Sequence, residues 1–255
     1  MHYIWDMKTT LILIVMSLLS LFGCGRKVAP TYPQDRLTAR DGSTITLTFF
    51  AHASLAVEWN GRHIYIDPVG EGIAWDRLPK ADLVLITHSH YDHFDMPTVE
   101  VLQGEGCTVV CDKTTAEAFD HDCVTMTPGM EAEPFEGLHI KAVPAYNISE
   151  GHTDFHPQGR EDCGYVLTLG GTTIYVSGDT EANDDVLSLS GIDVVFLPVN
   201  QPYTMTVEQA IKAVKAIKPL LFYPYHYGQV EHKTDIEALV AALQGVCEVR
   251  VRPME

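Results

Sequence analysis

The sequence predicts an α/β fold in which two mixed β-sheets pack face to face with helices on their outer sides. Three observations carry this expectation: a tight hairpin around Asn60-Gly61, a second copy of it more than a hundred residues later, and amphipathic helical stretches after each copy.

Thr44 to Phe50 reads as a first strand. Ser54 to Trp59 and Arg62 to Ile66 then flank Asn60-Gly61, the residue pair that a type I′ hairpin turn prefers, and the hairpin closes at Asp67-Pro68. Leu83 to Ile86 is an apolar run too short for a helix and bounded by polar residues, the pattern of a buried strand. The second copy runs from Gly164 to Leu169, turns at Gly170-Gly171, continues from Thr172 to Ser177 and closes at Gly178-Asp179-Thr180. Ile64-Tyr65-Ile66 matches Ile174-Tyr175-Val176 (174 − 64 = 110), and Asp82-Leu83-Val84 matches Asp193-Val194-Val195 (193 − 82 = 111), which suggests a duplicated unit. Helices are expected over residues 96–102, 114–119, 207–217 and 233–243. The third is the best defined: Thr206 and Gln209 form a capping box, Val207, Ala210, Ile211, Val214 and Ile217 trace one apolar face, and Lys218-Pro219 stops it. A last buried strand spans Lys218 to Pro224 and leads into Tyr225-His226-Tyr227-Gly228.

The chain has 255 residues, enough for one large domain or two small ones with no boundary marked between them, and its 46% hydrophobic content is ordinary for a full core. Its formal net charge of −17 argues against nucleic acid or an anionic membrane surface as an electrostatic partner. Lys8 precedes an apolar stretch from Leu11 to Phe22, shorter than the ~20 residues that span a bilayer, so it reads as a signal-peptide core. Leu21-Phe22-Gly23-Cys24 resembles a bacterial lipobox, which implies a lipidated Cys24, an exported membrane-anchored lipoprotein, residues 1–23 as leader, 24–41 as tether and 42–255 as the globular domain. The remaining Cys107, Cys111, Cys123, Cys163 and Cys247 are odd in number and show no Cys-x-x-Cys spacing, so they are expected to be mostly buried thiols.

Chemistry concentrates after the Leu83 to Ile86 strand, in Thr87-His88-Ser89-His90-Tyr91-Asp92-His93-Phe94-Asp95. Extended backbone alternates its side chains, so His88 and His90 share a direction, and Asp92 and His93 follow where the chain turns. Neutral imidazoles with one carboxylate hold zinc, iron or manganese while leaving positions open. This His-x-His-x-Asp-His string resembles the metal-binding signature of the metallo-β-lactamase superfamily. The resemblance implies a four-layer αββα sandwich with a metal site at one edge between the sheets, and two divalent metal ions, zinc first, with manganese or iron as alternatives. It also implies metal-ligand roles for His88, His90, Asp92, His93, Asp179 (in its Gly-Asp-Thr setting) and the late His226. Ala51-His52-Ala53-Ser54 and Ile66-Asp67-Pro68 resemble one branch of that superfamily, the branch of the L-ascorbate-6-phosphate lactonase and the N-acyl-phosphatidylethanolamine phospholipase D. On that likeness His52 would orient a ligand or contact substrate, and Asp67 would be a turn residue or support a ligand from behind.

One departure matters. Where the superfamily has a further histidine after a Pro-Ala pair, this chain reads Pro144-Ala145-Tyr146-Asn147. His152 or His156 must then fill the place, or the Asn147 amide must, and His156 is the choice because Phe155-His156-Pro157 is the more constrained setting. The resemblance implies a hydrolase in which a metal-held water attacks an ester, lactone or phosphodiester centre in a small-molecule or lipid-like substrate, with Asp92 orienting that water. The rival expectation is a non-catalytic lipoprotein that keeps the fold to bind metal or ligand.

Overall fold

The computed structural model describes residues 31–70, 72–119, 121–228 and 233–254. The leader, the lipobox and residues 24–30 of the tether lie outside them. Among the described residues fourteen strands form two sheets of seven. The first holds β1 (Gln34–Thr38), β2 (Thr44–Phe49), β3 (Leu55–Trp59), β4 (Arg62–Ile66), β5 (Ala81–Ile86), β6 (Gln103–Asp112) and β7 (Val124–Met126), each hydrogen-bonded to the next in chain order. The second holds β8 (Glu131–Phe135), β9 (Leu138–Pro144), β10 (Cys163–Leu169), β11 (Thr172–Val176), β12 (Val194–Pro198), β13 (Leu221–Tyr225) and β14 (Glu248–Val249) in the same arrangement. In both sheets the first four strands are antiparallel neighbours and the last four parallel ones. The duplication seen in the sequence therefore extends over the whole domain: β4 corresponds to β11, β5 to β12 and β6 to β13.

Helices α1 (Met96–Leu102), α2 (Lys113–Ala118), α3 (Asp184–Leu187), α4 (Val207–Ile217) and α5 (Ile236–Ala242) complete the domain. The period of two along the strands sorts the layers. Leu83 and Leu85 of β5 enter a core shared with Ile140, Leu167, Ile174 and Phe196 of the opposite sheet, while Val84 and Ile86 turn outward onto Val99 and Leu102 of α1. On the other side Val195 and Leu197 meet Ala210, Val214 and Ile217, the face of α4 expected from the sequence. The result is the αββα sandwich.

The tether expectation needs correcting. Gln34–Thr38 is a strand, antiparallel to β2 from Gln34↔Thr48 to Thr38↔Thr44. Its composition is polar because it lies at the sheet edge, and its anchor is distant in sequence: Asp35 accepts hydrogen bonds from Arg252 at 2.7 Å and from the Tyr223 hydroxyl. The last helix begins at Ile236 rather than Lys233, with Asp235 as its cap. Cys111 and Cys163 are buried, but Cys107, Cys123 and Cys247 are only partly so. No helix among the described residues is long and apolar enough to cross a membrane.

Candidate metal centre

The strand directions bring seven chain segments to one edge of the sandwich. β2, β4 and β5 run the same way in the first sheet, as β9, β11, β12 and β13 do in the second. Their C-terminal ends lead into His52, Asp67, His88 to His93, the 146–160 loop, Asp179, Asn200 and His226. The sheets touch at this edge: the Cys163 amide donates to the Thr87 carbonyl at 3.1 Å and the Tyr165 hydroxyl to the Ile86 carbonyl at 3.0 Å. Gly178 is required there. At φ +62° a Cβ would lie 2.9 Å from that of Thr87, so no larger residue could lead β11 into Asp179.

Among the described residues the donor atoms gather in three neighbouring groups, each within 4.8 Å: His88 with His90 and His156, His52 with Asp92 and His226, and His88 with His93 and Asp179, the first and third sharing His88. His88, His93, His156, Asp179 and His226 are buried and His52, His90 and Asp92 partly exposed; all of them except His88 and His93 line a cavity of about 450 Å³. The Asp179 carboxylate lies between the groups. Its Oδ2 is 3.3 Å from Nε2 of His156, and its Oδ1 is 3.2 Å from Nε2 of His226 and 3.3 Å from Nε2 of His93.

Supporting contacts set the imidazoles. Asp67, wholly buried, accepts from the Thr87 amide and hydroxyl and from Nδ1 of His93 at 2.8 Å, which turns Nε2 of His93 toward the centre. Asp92 lies 3.3 Å from Nε2 of His52 and 3.5 Å from that of His226. His52 (φ +54°) and His226 (φ +52°) both hold left-handed backbone, unusual for histidine, and the His226 amide donates to the His52 carbonyl at 3.1 Å. Asp95 plays no part in the cluster; its side chain caps α1.

The 146–160 loop is pinned where it delivers His156. Glu181 accepts from the amides of Ile148 and Ser149 at 2.8 and 2.7 Å and lies 3.3 Å from Nδ1 of His152, so His152 faces Glu181 and joins none of the three groups. Asn147 donates its side-chain amide to the carbonyls of Tyr203 and His152, and its backbone amide to the His156 carbonyl. Asn147 thus ties the loop shut, while His156 stands with His88 and His90. Sequence reasoning missed Glu181, Asn200 and Arg160. Position after Asp179 was the available signal for Glu181, and the end of a buried strand for Asn200. Nothing local marks Arg160, which reaches His90, Ser89 and Asp162.

The electrostatics are those of a cation site. Burial pushes the Asp179 carboxyl up, but His226 and His93 outweigh it and hold it far below the carboxylate range. Asp92 behaves likewise, burial being overcome by hydrogen bonds from His226 and His52. Burial pushes His93 down, but Asp179 and Asp67 outweigh it and raise it well above the ordinary imidazole value. Burial and neighbouring His156 and Arg160 push His90 down to about 4. The Nε2 atoms of His226 and His93 stand only 3.0 Å apart, and the nearby buried Asp179 Oδ1 has no well-formed hydrogen bond. Atoms that converge without pairing fit a shared cation. Asn200 fits too: its amide is 3.2 Å from Nδ1 of His226 and its Oδ1 has no partner, so a half-turn of the amide lets that oxygen accept from Nδ1–H and frees Nε2 as a ligand.

Residues 46–226 match the family model described as a beta-lactamase superfamily domain. A UPF0173 metal-dependent hydrolase from Pelotomaculum thermopropionicum is 31% identical over 216 residues, covering 77% of this chain and 93% of the relative. The chain belongs to the metallo-β-lactamase superfamily, in the UPF0173 metal-dependent hydrolase family. This metal-dependent hydrolase is also similar to solved structures. A protein of Parabacteroides distasonis described as a metal-dependent hydrolase is 36% identical with a TM-score of 0.83, covering 88% of this chain and 100% of that one. Igni18, a metallo hydrolase from Ignicoccus hospitalis, is 27% identical with a TM-score of 0.68, covering 82% and 95%.

Proposed function

We propose that this metal-dependent hydrolase holds two divalent ions and cleaves an ester, lactone or phosphodiester bond. The observation that carries the reading is the Asp179 carboxylate, whose Oδ2 faces His156 and whose Oδ1 faces His93 and His226. One ion would be held by His88, His90 and His156, the other by Asp92, His93 and His226, with Asp179 shared between them. The imidazole-rich first set favours zinc over manganese or iron.

Divalent ions bound there would acidify a water and polarise the oxygen of the scissile carbonyl or phosphoryl group. The side chains do the rest. Asp67 keeps the proton of His93 on Nδ1, so that Nε2 stays a ligand. Asp92, which borders the cavity, accepts a hydrogen bond from the attacking water and orients it. His52 lies beside Asp92 with its ring 3.8 Å from that of His226, and limits how far Asp92 can swing. The Ala51-His52-Ala53-Ser54 run supports a place near the lactonase and phospholipase D-like branch.

Purified protein should carry two equivalents of zinc. Hydrolysis within a panel of esters, lactones and phosphodiesters should vanish on chelation and return with zinc. Full activity at one equivalent would overturn the dinuclear reading.

A further inference from the structure

Asp162 is 1% exposed, and among the described residues only one of its oxygens has a hydrogen-bond partner. Oδ1 accepts from Nε of Arg160 at 3.1 Å, while Oδ2 stands 3.6 Å from Nδ1 of His156, an atom equally without a hydrogen bond. Two buried polar atoms that face each other, each otherwise unpaired, are a hydrogen bond just short of closing. The backbone holds Asp162 in place: its carbonyl accepts from the Ala145 amide at 3.0 Å, Glu161 before it is left-handed at φ +62°, and the Cys163 amide after it donates to Thr87 across the sheets. The guanidinium of Arg160 does not fork onto the carboxylate, as in a plain ion pair. It spreads over Asp162, His90 (Nη1 to Nε2, 2.5 Å) and Ser89. Ser89 donates in turn to Thr114, whose hydroxyl bonds to Asp112 at the cap of α2. Arg160 is thereby tied down and leaves Oδ2 of Asp162 to His156. The arrangement repeats that of Asp67 and His93, in which a carboxylate meets Nδ1 and Nε2 turns to the centre: Nε2 of His156 is 3.3 Å from Oδ2 of Asp179.

We infer that Asp162, anchored by Arg160, is a positioning residue for the first ion: it holds the ring proton of His156 on Nδ1 and so keeps Nε2 as the ligand atom. This rests on the ligand set proposed above and adds to it a carboxylate that touches neither ion. A neutral imidazole can carry its proton on either nitrogen, and a proton on Nε2 takes that atom out of the site. His88 and His90 follow directly on a strand, whereas His156 arrives on a loop, so its ring most needs a grip from behind.

The test measures zinc affinity of the full chain by competition with a chromophoric chelator, in wild type, Asp162→Asn, His156→Ala and the double variant. In Asp162→Asn the side-chain oxygen stays with Nε–H of Arg160, which turns the amide NH2 toward His156, makes Nδ1 an acceptor and moves the ring proton to Nε2. The first ion should therefore bind about 10–100-fold more weakly, the second about as in wild type. In the His156→Ala background the same change should alter affinity for the remaining ion by no more than about twofold, because the residue it acts through is gone. A merely structural role predicts a loss that persists without His156, and that result overturns the inference, as does wild-type affinity in Asp162→Asn. Should wild type hold fewer than two equivalents, or His156→Ala lose none, the ligand set itself fails and the inference falls with it. If Asp162→Asn does not fold, wild type decides. Heteronuclear NMR spectra of the zinc-loaded protein should place a downfield, slowly exchanging proton on Nδ1 of His156, identified by its loss in His156→Ala. A proton on Nε2, or one on Nδ1 in rapid exchange, overturns the inference.

Discussion

Oδ2 of Asp67 stands 2.8 Å from Nδ1 of His93, with both side chains sealed from solvent. The same carboxylate takes the Thr87 amide and hydroxyl, so one residue after β4 sets both the end of β5 and the ring that follows it. Asp67→Ala removes that grip without touching a metal-facing atom. Zinc affinity should fall about 10–100-fold, the usual cost of losing a carboxylate behind a ligating histidine. Zinc competition against a chromophoric chelator measures it, and an unchanged affinity would show that Thr87 alone suffices.

Asp92 is the more exposed of the two carboxylates that line the cavity. Asp92→Asn preserves its size and one oxygen but removes its charge. Turnover on any substrate found should drop by about two orders of magnitude or more, with the thermal transition retained. Steady-state kinetics on protein of verified metal content is the measurement; wild-type turnover would take Asp92 out of the mechanism.

His156 and His152 stand four residues apart on the same loop and point to different partners. His156→Ala should lose about one equivalent of zinc. His152→Ala should keep both, since His152 faces Glu181 rather than the centre. Elemental analysis of the two variants side by side distinguishes the outcomes, and the reverse pattern would assign the ligand to His152.

Asp35 links β1 to the C-terminal segment. Burial pushes its carboxyl up, but hydrogen bonds from Arg252 and Tyr223 and the charges of Arg252 and Arg250 outweigh that, and it titrates below its ordinary 3.8. A carboxyl whose folded value is depressed adds stability that is present above 3.8 and lost as pH falls through the folded value. Asp35→Asn should therefore destabilise the protein at neutral pH and flatten the loss of stability as pH falls below 3.8. Urea midpoints across that range measure the slope, and parallel curves for wild type and variant would exclude Asp35 as a source of acid lability.

Much of this architecture was readable locally because period and turn chemistry act locally. Asn60-Gly61, the run into Thr87 and the Thr206-Gln209 cap each signal their element within a few residues, and α1 and α4 span the expected residues. β1 escaped because its partners are remote: a polar edge strand is defined by its neighbour's backbone and by Arg252, more than two hundred positions away. Asn147 escaped in a similar way. It occupies the place of an expected histidine, and only the folded loop shows its amide on the Tyr203 carbonyl. Arg160 reaches His90 and Ser89 across seventy residues, which no spacing rule anticipates.

The correspondence of β4 with β11 has a consequence for how the molecule divides its labour. Asp67 and Asp179 close equivalent hairpins, yet one aspartate props a histidine from behind while the other faces the centre. Neither half owns a complete set of donors: the first contributes His52, His88, His90, Asp92 and His93, the second His156, Asp179 and His226. An ion that binds only when the halves are joined stabilises their union by mass action. Under the ligand set proposed above, catalysis and cohesion become one equilibrium: a cation lost from the seam would loosen two near-twin lobes as well as silence the chemistry between them.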